Sequence, residues 1–445
     1  MTGTIFAPAS GRGPAGIAVI RISGPAAAIA LARLTGLSDP VPRRAARARI
    51  RDDQGETIDV GLALWFPRPA SFTGEDVAEL HVHGGRAVVA GVLEALAAVD
   101  GLRPAEPGEF TRRAFENDKL DLTAAEAIAD LVNAETRAQR RQAVRQMQGD
   151  LGRLYDGWRE RLILLLAHQE ALIDFADEDL PPEIEERVRA EVAALAAELS
   201  CHLSDDRRGE RLREGFRVVI VGPPNAGKSS LLNILARREA AIVAASPGTT
   251  RDVIEVHLDL AGYPILVSDT AGLREATEAI ESEGVRRSLR TAEQADLKLA
   301  VLDASVLPQI DERTAALVDQ DTLVLVNKSD IAHQAGPVVV NKVTAMPISA
   351  LTGAGVSAFL LRLEAEVARR WGAGDGVALT RVRHRQALER CAVSLGRVVT
   401  ADATGAGEIV AEDLRLAARE LGRITGRVDV EEILDVIFRD FCIGK

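Results

Sequence analysis

The chain has few of the features that mark secreted, membrane-spanning or metal-scaffold proteins. Its three cysteines, Cys201, Cys391 and Cys442, are too far apart in sequence for a disulfide framework or a Cys-x-x-Cys metal site, so reduced thiols are expected. Its longest strongly apolar run, Leu162 to Ala167, is far shorter than the roughly 20 residues of a transmembrane helix. The amino-terminal residues carry neither a basic region nor a long apolar stretch, so we expect a cytoplasmic protein with no membrane partner.

Positive charge is also in short supply. The 54 lysines and arginines are outnumbered by 66 acidic residues, and the formal net charge is −12. This balance argues against a protein that coats nucleic acid by bulk electrostatics, although a local basic patch remains compatible with it. The length of 445 residues and the apolar fraction of 47% predict a globular protein of about two to four domains.

The most informative segment that is present is residues 222–229, Gly-Pro-Pro-Asn-Ala-Gly-Lys-Ser, which follows the apolar strand Phe216 to Val221. It fits the phosphate-loop pattern G-x-x-x-x-G-K-[ST] at every fixed position. The glycines let successive backbone N–H groups face phosphate oxygens, Lys228 can reach the β and γ phosphates, and the Ser229 hydroxyl can bind Mg²⁺. We therefore predict a nucleoside triphosphate site with Lys228 among its catalytic residues.

Three further motifs follow in the order of a guanine-nucleotide switch protein. Residues 248–252 supply Thr250 as a second Mg²⁺ ligand, and residues 269–272 place a carboxylate and a glycine N–H near the γ-phosphate. In residues 327–330 the Asp330 carboxylate can accept two hydrogen bonds from guanine, which adenine cannot offer, so GTP is the predicted nucleotide. Residues 349–351 follow a predicted short strand from Thr344 to Ile348 and resemble the loop that completes the base pocket. The candidate contacts are Asn225, Ala226, Gly227, Lys228, Ser229, Ser230, Gly248, Thr249, Thr250, Asp269, Thr270, Ala271, Gly272, Asn327, Lys328, Asp330, Ser349, Ala350 and Leu351.

The residue that orients the attacking water in many switch GTPases is a glutamine after the Asp-x-x-Gly motif, and here that position is Leu273. The acidic stretch 275–283 offers four carboxylates that could replace it, and the residues alone do not select one. Arg251 and Arg274 adjoin the switches but need not act as arginine fingers. The side-chain oxygen of Asn225 could instead help to bind a monovalent cation, which would neutralise charge in the transition state.

The pattern of apolar residues divides the chain. Residues 1 to about 115 read as short strands with a helix, including the strand Val77 to Val82 and a hairpin at residues 52–55. A helical pattern runs from about Leu122 to Arg213, strands alternate with helices from Phe216 to about Arg370, and helices resume after a glycine-rich hinge. The nucleotide domain is thus predicted to be inserted into a helical domain, so that its switches could move the helices.

Several motifs outside the nucleotide domain resemble those of the MnmE (TrmE) family of tRNA-modification GTPases, and the resemblance covers the whole chain. They are the segments 11–13 Gly-Arg-Gly, 21–24 Arg-Ile-Ser-Gly, 71–76 Ser-Phe-Thr-Gly-Glu-Asp, 83–85 His-Gly-Gly, 117–121 Asn-Asp-Lys-Leu-Asp and the tail 441–445 Phe-Cys-Ile-Gly-Lys. The resemblance implies a multidomain α/β fold. It comprises an N-terminal α+β tetrahydrofolate-binding and dimerisation domain (1–117), a discontinuous helical domain (118–212 and 371–445) and an inserted Ras-like P-loop G domain (213–370).

The same resemblance implies functional residues and partners. It places Asn225, Thr249 and the backbone oxygens of Ala244 and Ser246 around K⁺, and Glu281 at the water. It implies a folate site, for 5-formyl- or methylene-tetrahydrofolate, made by Arg21, Glu79, Lys119 and Lys445, and it leaves the role of the tail thiol of Cys442 open. It further implies a homodimer that works with the FAD- and NADH-dependent enzyme MnmG (GidA). Together they would attach an aminomethyl or carboxymethylaminomethyl group to carbon 5 of the wobble uridine of certain tRNAs.

Two other functions remain open at this point, a GTP-controlled RNA-binding or ribosome-assembly module and a pure dimerisation scaffold. The folate-type motifs and the tail favour the modification enzyme, because an assembly factor has no use for them. His81 and His83 lie two residues apart on one strand face and could bind a metal, but no further ligands are close in sequence. One departure from the family pattern is Pro247 in the cation loop, which removes a backbone donor but leaves the carbonyl ligands in place.

Overall fold

The computed structural model describes residues 3–11, 13–175, 183–205, 207–236, 241–242, 255–269, 295–331, 336–371, 378–401, 407–428, 431–439 and 441–444. The chain divides into two compact units. The first comprises Met1–Val132, Val144–Ser200 and Gln386–Lys445, and the second comprises Asn133–Ala143 and Cys201–Arg385. The domain limits predicted above stay predictions. None of the helices in these ranges has the length and apolar character needed to cross a bilayer.

The N-terminal part of the first unit contains a mixed sheet with the described strand order β3-β4-β5-β2-β1-β6. All neighbouring pairs are antiparallel except β1 and β6, which are parallel. The bounds are β1 Thr4–Pro8, β2 Ala18–Ser23, β3 Ala46–Arg51, β4 Thr57–Phe66, β5 Val77–Val82 and β6 Leu102–Pro104, with helices α1 Ala27–Thr35, α2 Arg86–Ala97 and α3 Glu109–Glu116.

Alternation of apolar and polar residues decides which face of this sheet is covered. Ile20 and Leu80 are fully buried against α1 and α2, whereas Arg21 and Glu79, one position away, lie on the opposite face. On that opposite face Phe110 of α3 packs against Ile5 and Ala7 of β1. The polar side chains of the central strands are consequently left accessible there.

The chain continues with helices and then with the second sheet. The helices are α4 Leu122–Val132, α5 Arg137–Met147, α6 Asp150–Asp174, α7 Glu183–Leu203 and α8 Arg208–Glu214. The strands that follow are β7 Phe216–Val221, β8 Ala241–Ile242, β9 Glu255–Leu260, β10 Tyr263–Asp269, β11 Leu297–Asp303, β12 Thr322–Asn327, β13 Val339–Val340, β14 Val343–Thr344 and β15 Met346–Pro347. Helices α9 Lys228–Ala236, α10 Glu312–Ala316 and α11 Val356–Trp371 lie among them, and α12 Val382–Thr400, α13 Gly407–Thr425 and α14 Glu431–Arg439 come last.

The sheet of the second unit has the described order β15-β12-β11-β7-β10-β9-β8. Strands β15, β12, β11, β7 and β10 run parallel, and β9 and β8 complete the edge in antiparallel pairs. Two apolar layers cover its faces, which is why β7 and β12 are nearly continuous apolar runs rather than alternating ones. The carboxyl ends of the parallel strands meet at one edge of the sheet. The strand order reverses at this edge between β7 and its neighbours β11 and β10.

One predicted strand is divided in the structure. The sequence predicted a single strand from Thr344 to Ile348, but β14 pairs with β13 whereas β15 pairs with β12. The change of partner occurs at Ala345, whose N–H donates to the carbonyl of Val338. The predicted strand is divided because its two halves hydrogen-bond to different sheets, and local sequence does not encode the choice of sheet.

The helical part of the first unit is held by the pairing of α6 with α13. Helix α6 buries Leu151, Tyr155, Trp158, Leu162 and Leu165, which recur every three or four residues and so form one stripe. Helix α13 presents a matching apolar stripe of Ala411, Leu414, Ala417, Ala418 and Leu421. The tail joins this unit as well, since Phe441 packs in a cluster with Leu122, Ala125, Leu434 and Phe438.

A buried ion network fixes α3 to the N-terminal sheet. The carboxylate of Glu109 is 2% exposed and accepts hydrogen bonds from Arg103, at 2.5 and 2.8 Å, and from Arg113, at 2.9 Å. Burial by itself would raise the pKa of Glu109, but these bonds and one from the Glu106 N–H outweigh it and hold the pKa below its ordinary value of 4.5.

We expect Glu109→Gln to destabilise the chain at neutral pH and to change it little in acid. Because the pKa of Glu109 is lowered by folding, its contribution is present above pH 4.5 and is lost as the pH falls through the folded value. Urea unfolding followed by circular dichroism from pH 7 to pH 3 measures this difference. Glu106→Gln, a change at an exposed neighbour, serves as the control, and a gap between native and Glu109→Gln chains that stays constant with pH would contradict the assignment.

Candidate functional site

The phosphate loop connects β7 to α9, and two of its glycines are required by close contacts. A Cβ atom on Gly222 would lie 2.3 Å from the carbonyl oxygen of Val301, and one on Gly227 would lie 2.1 Å from Nδ2 of Asn327. Both residues also have positive φ angles, 150° and 94°, which favour glycine. The sequence pattern is therefore matched by a backbone that only glycine allows at these positions.

Lys228, the first residue of α9, is 7% exposed and its side chain lies along the phosphate loop. Its Nζ donates to the carbonyl oxygens of Gly222, at 3.0 Å, and Pro223, at 2.8 Å. Ser229 and Ser230 follow in the first turn of the helix, whose amino end favours anions because its N–H groups point outward. Asn225 stands exposed at the top of the loop with a φ of 62°, in the left-handed region that asparagine tolerates.

The side chain of Asn327 joins the phosphate loop to the predicted base loop. It is 2% exposed, its Nδ2 donates to the carbonyl of Ala226 at 2.8 Å, and its Oδ1 accepts from the N–H of Ala350 at 2.9 Å. A buried amide with both ends satisfied keeps two loops from distant parts of the chain in one arrangement. The structure thus brings together the motifs at 222–229, 327–330 and 349–351.

Asp330 lies in the same place with its carboxylate oriented by a neighbour. The Ser349 hydroxyl donates to Oδ1 of Asp330 at 2.5 Å, while Asp330 itself remains exposed. An exposed carboxylate held by one hydroxyl retains lone pairs for the two N–H donors of a guanine edge. Leu351, the last residue of this loop, is 86% exposed and lies at the open side.

Sequence reasoning missed one participant, Asp303, at the carboxyl end of β11. Its Oδ2 accepts a 2.5 Å hydrogen bond from Nζ of Lys328, which has a φ of 63°. Burial would raise the pKa of Asp303, but the bonds from Lys328 and from Ser305 outweigh it and lower the pKa. The available signal was positional, because β11 ends at the same sheet edge as β7 and β12.

Several predicted residues are not covered by this geometry. Asp269 ends β10, paired with Ile220 of β7, and only its backbone is described. Those outside the described residues are Ala244, Ser246, Gly248, Thr249, Thr250, Thr270, Ala271, Gly272, Glu281 and Lys445. Their roles stay predictions.

A second cluster of the predicted residues lies on the accessible face of the N-terminal sheet. Arg21 and Glu79 are cross-strand partners, and the Arg21 guanidinium donates to Oε1 of Glu79 at 2.9 Å. The guanidinium carbon also lies 5.3 Å from the ring centre of Phe72 and 5.9 Å from that of Phe110. The ion pair is partly exposed, at 21% for Arg21 and 16% for Glu79, whereas Phe110 is fully buried.

His81 belongs to this cluster rather than to a metal site. Its Nε2 lies 3.3 Å from Oε2 of Glu79, whereas His83 is paired with Asp59 at 2.9 Å. No group of three or more histidine, cysteine or acidic side chains that could hold a metal ion occurs in the part of the chain that the structure describes. Each histidine is instead hydrogen-bonded to a carboxylate of its own.

The tail and Lys119 are described close to this sheet. Ile443 forms an antiparallel bridge with Pro107, and the α-carbon of Gly444 is so close to β1 that a Cβ there would lie 2.0 Å from the Pro8 carbonyl oxygen. The Cys442 carbonyl accepts from the Gly108 N–H at 3.5 Å, and its side chain is exposed. Lys119 is exposed beside Gly74, near enough that a Cβ on Gly74 would lie 3.1 Å from its Cε.

Comparison with known proteins adds family information to this geometry. The family described as "MnmE helical domain" matches residues 122–442, and "GTP-binding protein TrmE N-terminus" matches residues 4–119. The chain is 57% identical over 446 residues to the tRNA modification GTPase MnmE of Paramagnetospirillum magneticum, covering 100% of both chains. It is 50% identical over 465 residues to "5-taurinomethyluridine-[tRNA] synthase subunit GTPB3, mitochondrial" of Rattus norvegicus, covering 99% of this chain and 93% of that one.

We expect Asp330→Asn to weaken GTP binding and to strengthen binding of xanthosine triphosphate. An amide cannot accept both guanine N–H bonds, but its NH₂ can donate to the additional xanthine carbonyl. Since a hydrogen bond to a charged group contributes about 1.5–3 kcal/mol and each 1.4 kcal/mol is a factor of about ten, GTP affinity should fall roughly tenfold to hundredfold. Calorimetric titration with both nucleotides measures the change, with Asp321→Asn as the control. Unchanged preference for GTP would contradict the base-site assignment.

Proposed function

The chain belongs to the MnmE family of tRNA modification GTPases, and we propose that it hydrolyses GTP to drive modification of carbon 5 of the wobble uridine in certain tRNAs. One observation carries this proposal. The chain, which relatives of this family match over its whole length, contains two separate sites. One is the loop constellation built around Asn327, and the other is the Arg21–Glu79 cluster. A GTP-controlled binding module has no chemical need for the second site.

The described residues of the first site fit GTP. The amide groups of the phosphate loop, kept open by Gly222 and Gly227, can receive phosphate oxygens, and the Lys228 ammonium can exchange its loop carbonyls for them. Ser229 and Thr250 would hold Mg²⁺, with Asp269 acting through water. When bound, Mg²⁺ neutralises charge on the phosphates. Asp330 and the 349–351 loop would then select guanine.

Hydrolysis in this chain needs a substitute for the missing glutamine and arginine finger. We propose that Glu281 orients the attacking water and that K⁺ is held by Asn225, Thr249 and the backbone oxygens of Ala244 and Ser246. The exposed position of Asn225 at the top of the loop supports its share of this assignment. Docking of two G domains across these loops would exclude water and organise the cation.

The second site suits a reduced folate. Its Glu79 carboxylate can accept pterin N–H groups, and the Arg21 guanidinium beside the Phe72 ring adds a planar cation. Arg21 and Lys119 supply cations for the glutamate tail of the folate, and Lys445 is proposed to add a third. When bound, 5-formyl- or methylene-tetrahydrofolate supplies the one-carbon unit. Arg21 and His81 keep Glu79 in place through hydrogen bonds to its two oxygens.

We place the protein in the cytoplasm as a homodimer that works with tRNA and with the FAD- and NADH-dependent partner MnmG. The one-carbon unit and an amine require redox chemistry to become an aminomethyl or carboxymethylaminomethyl group. The proposed flavin partner would supply that redox chemistry.

Complementation tests the function. In bacterial cells that lack their own protein of this family, the native chain should restore the C5 modification of wobble uridine, measured by mass spectrometry of digested tRNA. Lys228→Ala should fail because it loses the ammonium that binds phosphates. Glu79→Gln should fail because a neutral amide offers one acceptor oxygen where the carboxylate offers two, while His83→Gln, an exposed control, should succeed. Absence of modification with the native chain, when it is expressed and folded, would overturn the proposal.

Cation dependence tests the hydrolytic mechanism. GTP turnover by the native chain should be faster in KCl than in NaCl at equal ionic strength, and the difference should disappear in Asn225→Ala because the cation loses its side-chain ligand. Glu281→Ala should be slow in both salts because the water is no longer oriented. Steady-state phosphate release measures all three chains. Equal rates of the native chain in both salts would remove K⁺ from the mechanism but leave GTP binding intact.

A further inference from the structure

The edge strand β3 carries a row of arginines that no part of the proposed chemistry uses. Arg47, Arg49 and Arg51 occupy alternate positions and are all exposed, whereas the residues between them, Ala48 and Ile50, are 5% and 0% exposed in the core under α1 and α2. Alternation puts the three guanidinium groups on one face of the sheet, opposite the helices. We call these three residues the arginine row.

The one acidic residue of β4, Asp59, lies opposite Ile50 and is paired with His83, so the arginine row faces no charge directly across the sheet. Its cross-strand partners in β4 are uncharged, being Leu62 for Arg47, Val60 for Arg49 and Thr57 for Arg51. Within the described residues, no ion pair or side-chain hydrogen bond involves any of the three arginines. A row of exposed cations at this density remains available to an external anion.

The charged residues that adjoin β3 along the chain lie at the two ends of the row. The hairpin turn after Arg51 holds Asp52, Asp53 and Glu56, and the Asp52 carboxylate there accepts the N–H groups of Gln54 and Glu56. Before the strand, Arg44 adds another exposed cation, while the Arg43 guanidinium is directed to the carbonyl of Ala70 and lies 5.6 Å from the Phe66 ring centre. The exposed cations from Arg44 through Arg49 are therefore the ones farthest along the chain from the acidic turn.

The spacing of the row points to a polyanion with regularly spaced charges. Alternate residues of a strand are separated by about 6.5 Å, which is comparable to the separation of successive phosphates along a polynucleotide strand. Charged residues on edge strands also prevent sheets from pairing edge to edge, but that role requires neither three like charges nor their placement on one sheet face. In a chain with a net charge of −12, such a local concentration is selective for a partner that approaches this face.

We propose that the arginine row binds the sugar–phosphate backbone of the tRNA substrate. The inference rests on the proposed function, since it takes tRNA as the substrate. Contacts to phosphates position a nucleic acid without reading its sequence, so the row would orient tRNA on the domain that carries the folate site. Each guanidinium can donate two parallel hydrogen bonds to one phosphate.

The test compares two charge-matched pairs of substitutions in the full-length chain. Arg47→Gln/Arg49→Gln removes two members of the row, and Arg33→Gln/Arg86→Gln removes two exposed arginines from α1 and α2, which cover the other face of the sheet. Binding of fluorescently labelled tRNA is measured by anisotropy from 50 to 300 mM KCl. GTP turnover and elution volume are measured in parallel, because neither depends on the row.

The row variant should bind tRNA at least tenfold more weakly at moderate salt, and its plot of log K against log salt should be shallower by about 1.5, since each phosphate contact contributes roughly 0.7–0.9 to that slope. The control pair should behave as the native chain does. Weakening should be equal for tRNAs of different sequence, because the contacts carry no sequence information.

Four results would overturn the inference. Equal tRNA binding by the row variant and the native chain would reject the row alone and leave the proposed function standing, whereas no tRNA binding by the native chain would reject both. Weaker binding that is accompanied by a changed elution volume would assign the row to subunit contacts. Loss of binding to phosphatidylserine vesicles, with tRNA binding retained, would assign it to a lipid surface.

Discussion

The buried amide of Asn327 is the interaction on which the nucleotide site depends. It donates to the phosphate loop through the Ala226 carbonyl and accepts from the base loop through the Ala350 N–H, so one side chain fixes the distance between the two halves of the pocket. Gly227 can have no side chain because Asn327 occupies the space. The parallel strands β7 and β12 make this contact possible by ending at the same sheet edge, on either side of β11.

The N-terminal sheet is organised by charge on one face and by apolar packing on the other. Arg113 is 2% exposed and bonds to Glu109, to Glu75 and to the Gly3 carbonyl, so that α3, the 67–76 loop and the chain start are held together. The Glu75 carboxylate also accepts a hydrogen bond from the hydroxyl of Ser23. Ser23 lies on β2, the strand that carries Arg21 of the proposed folate site. Each charge of this network has an oppositely charged partner, which is the condition under which buried ions are tolerated. The buried Nε of Arg113 alone has no hydrogen-bond partner within this network.

Charge is distributed unevenly over a chain whose net charge is negative. Several acidic groups of the described N-terminal region are committed to internal partners, as Glu109, Glu79 and Asp59 show. The arginines of β3 have no such partner there. A net charge therefore says little about binding to nucleic acid, because recognition depends on which side chains are left uncompensated on one face.

The sequence by itself determined the features that depend on local order. The phosphate loop, the runs that became β5 and β7, and the family motifs were all readable from spacing, because strand and loop conformations follow from neighbouring residues. The predicted multidomain α/β fold class agrees with the family models and with the two sheets. Only tertiary structure decided that Asp303 pairs with Lys328 and that the Asn327 amide donates to the Ala226 carbonyl. It also decided that His81 is hydrogen-bonded to Glu79 and that uncharged residues lie opposite Arg47 and Arg49. Each of these is set by which strands become neighbours, and strand neighbours come from distant parts of the chain whose pairing no local pattern encodes.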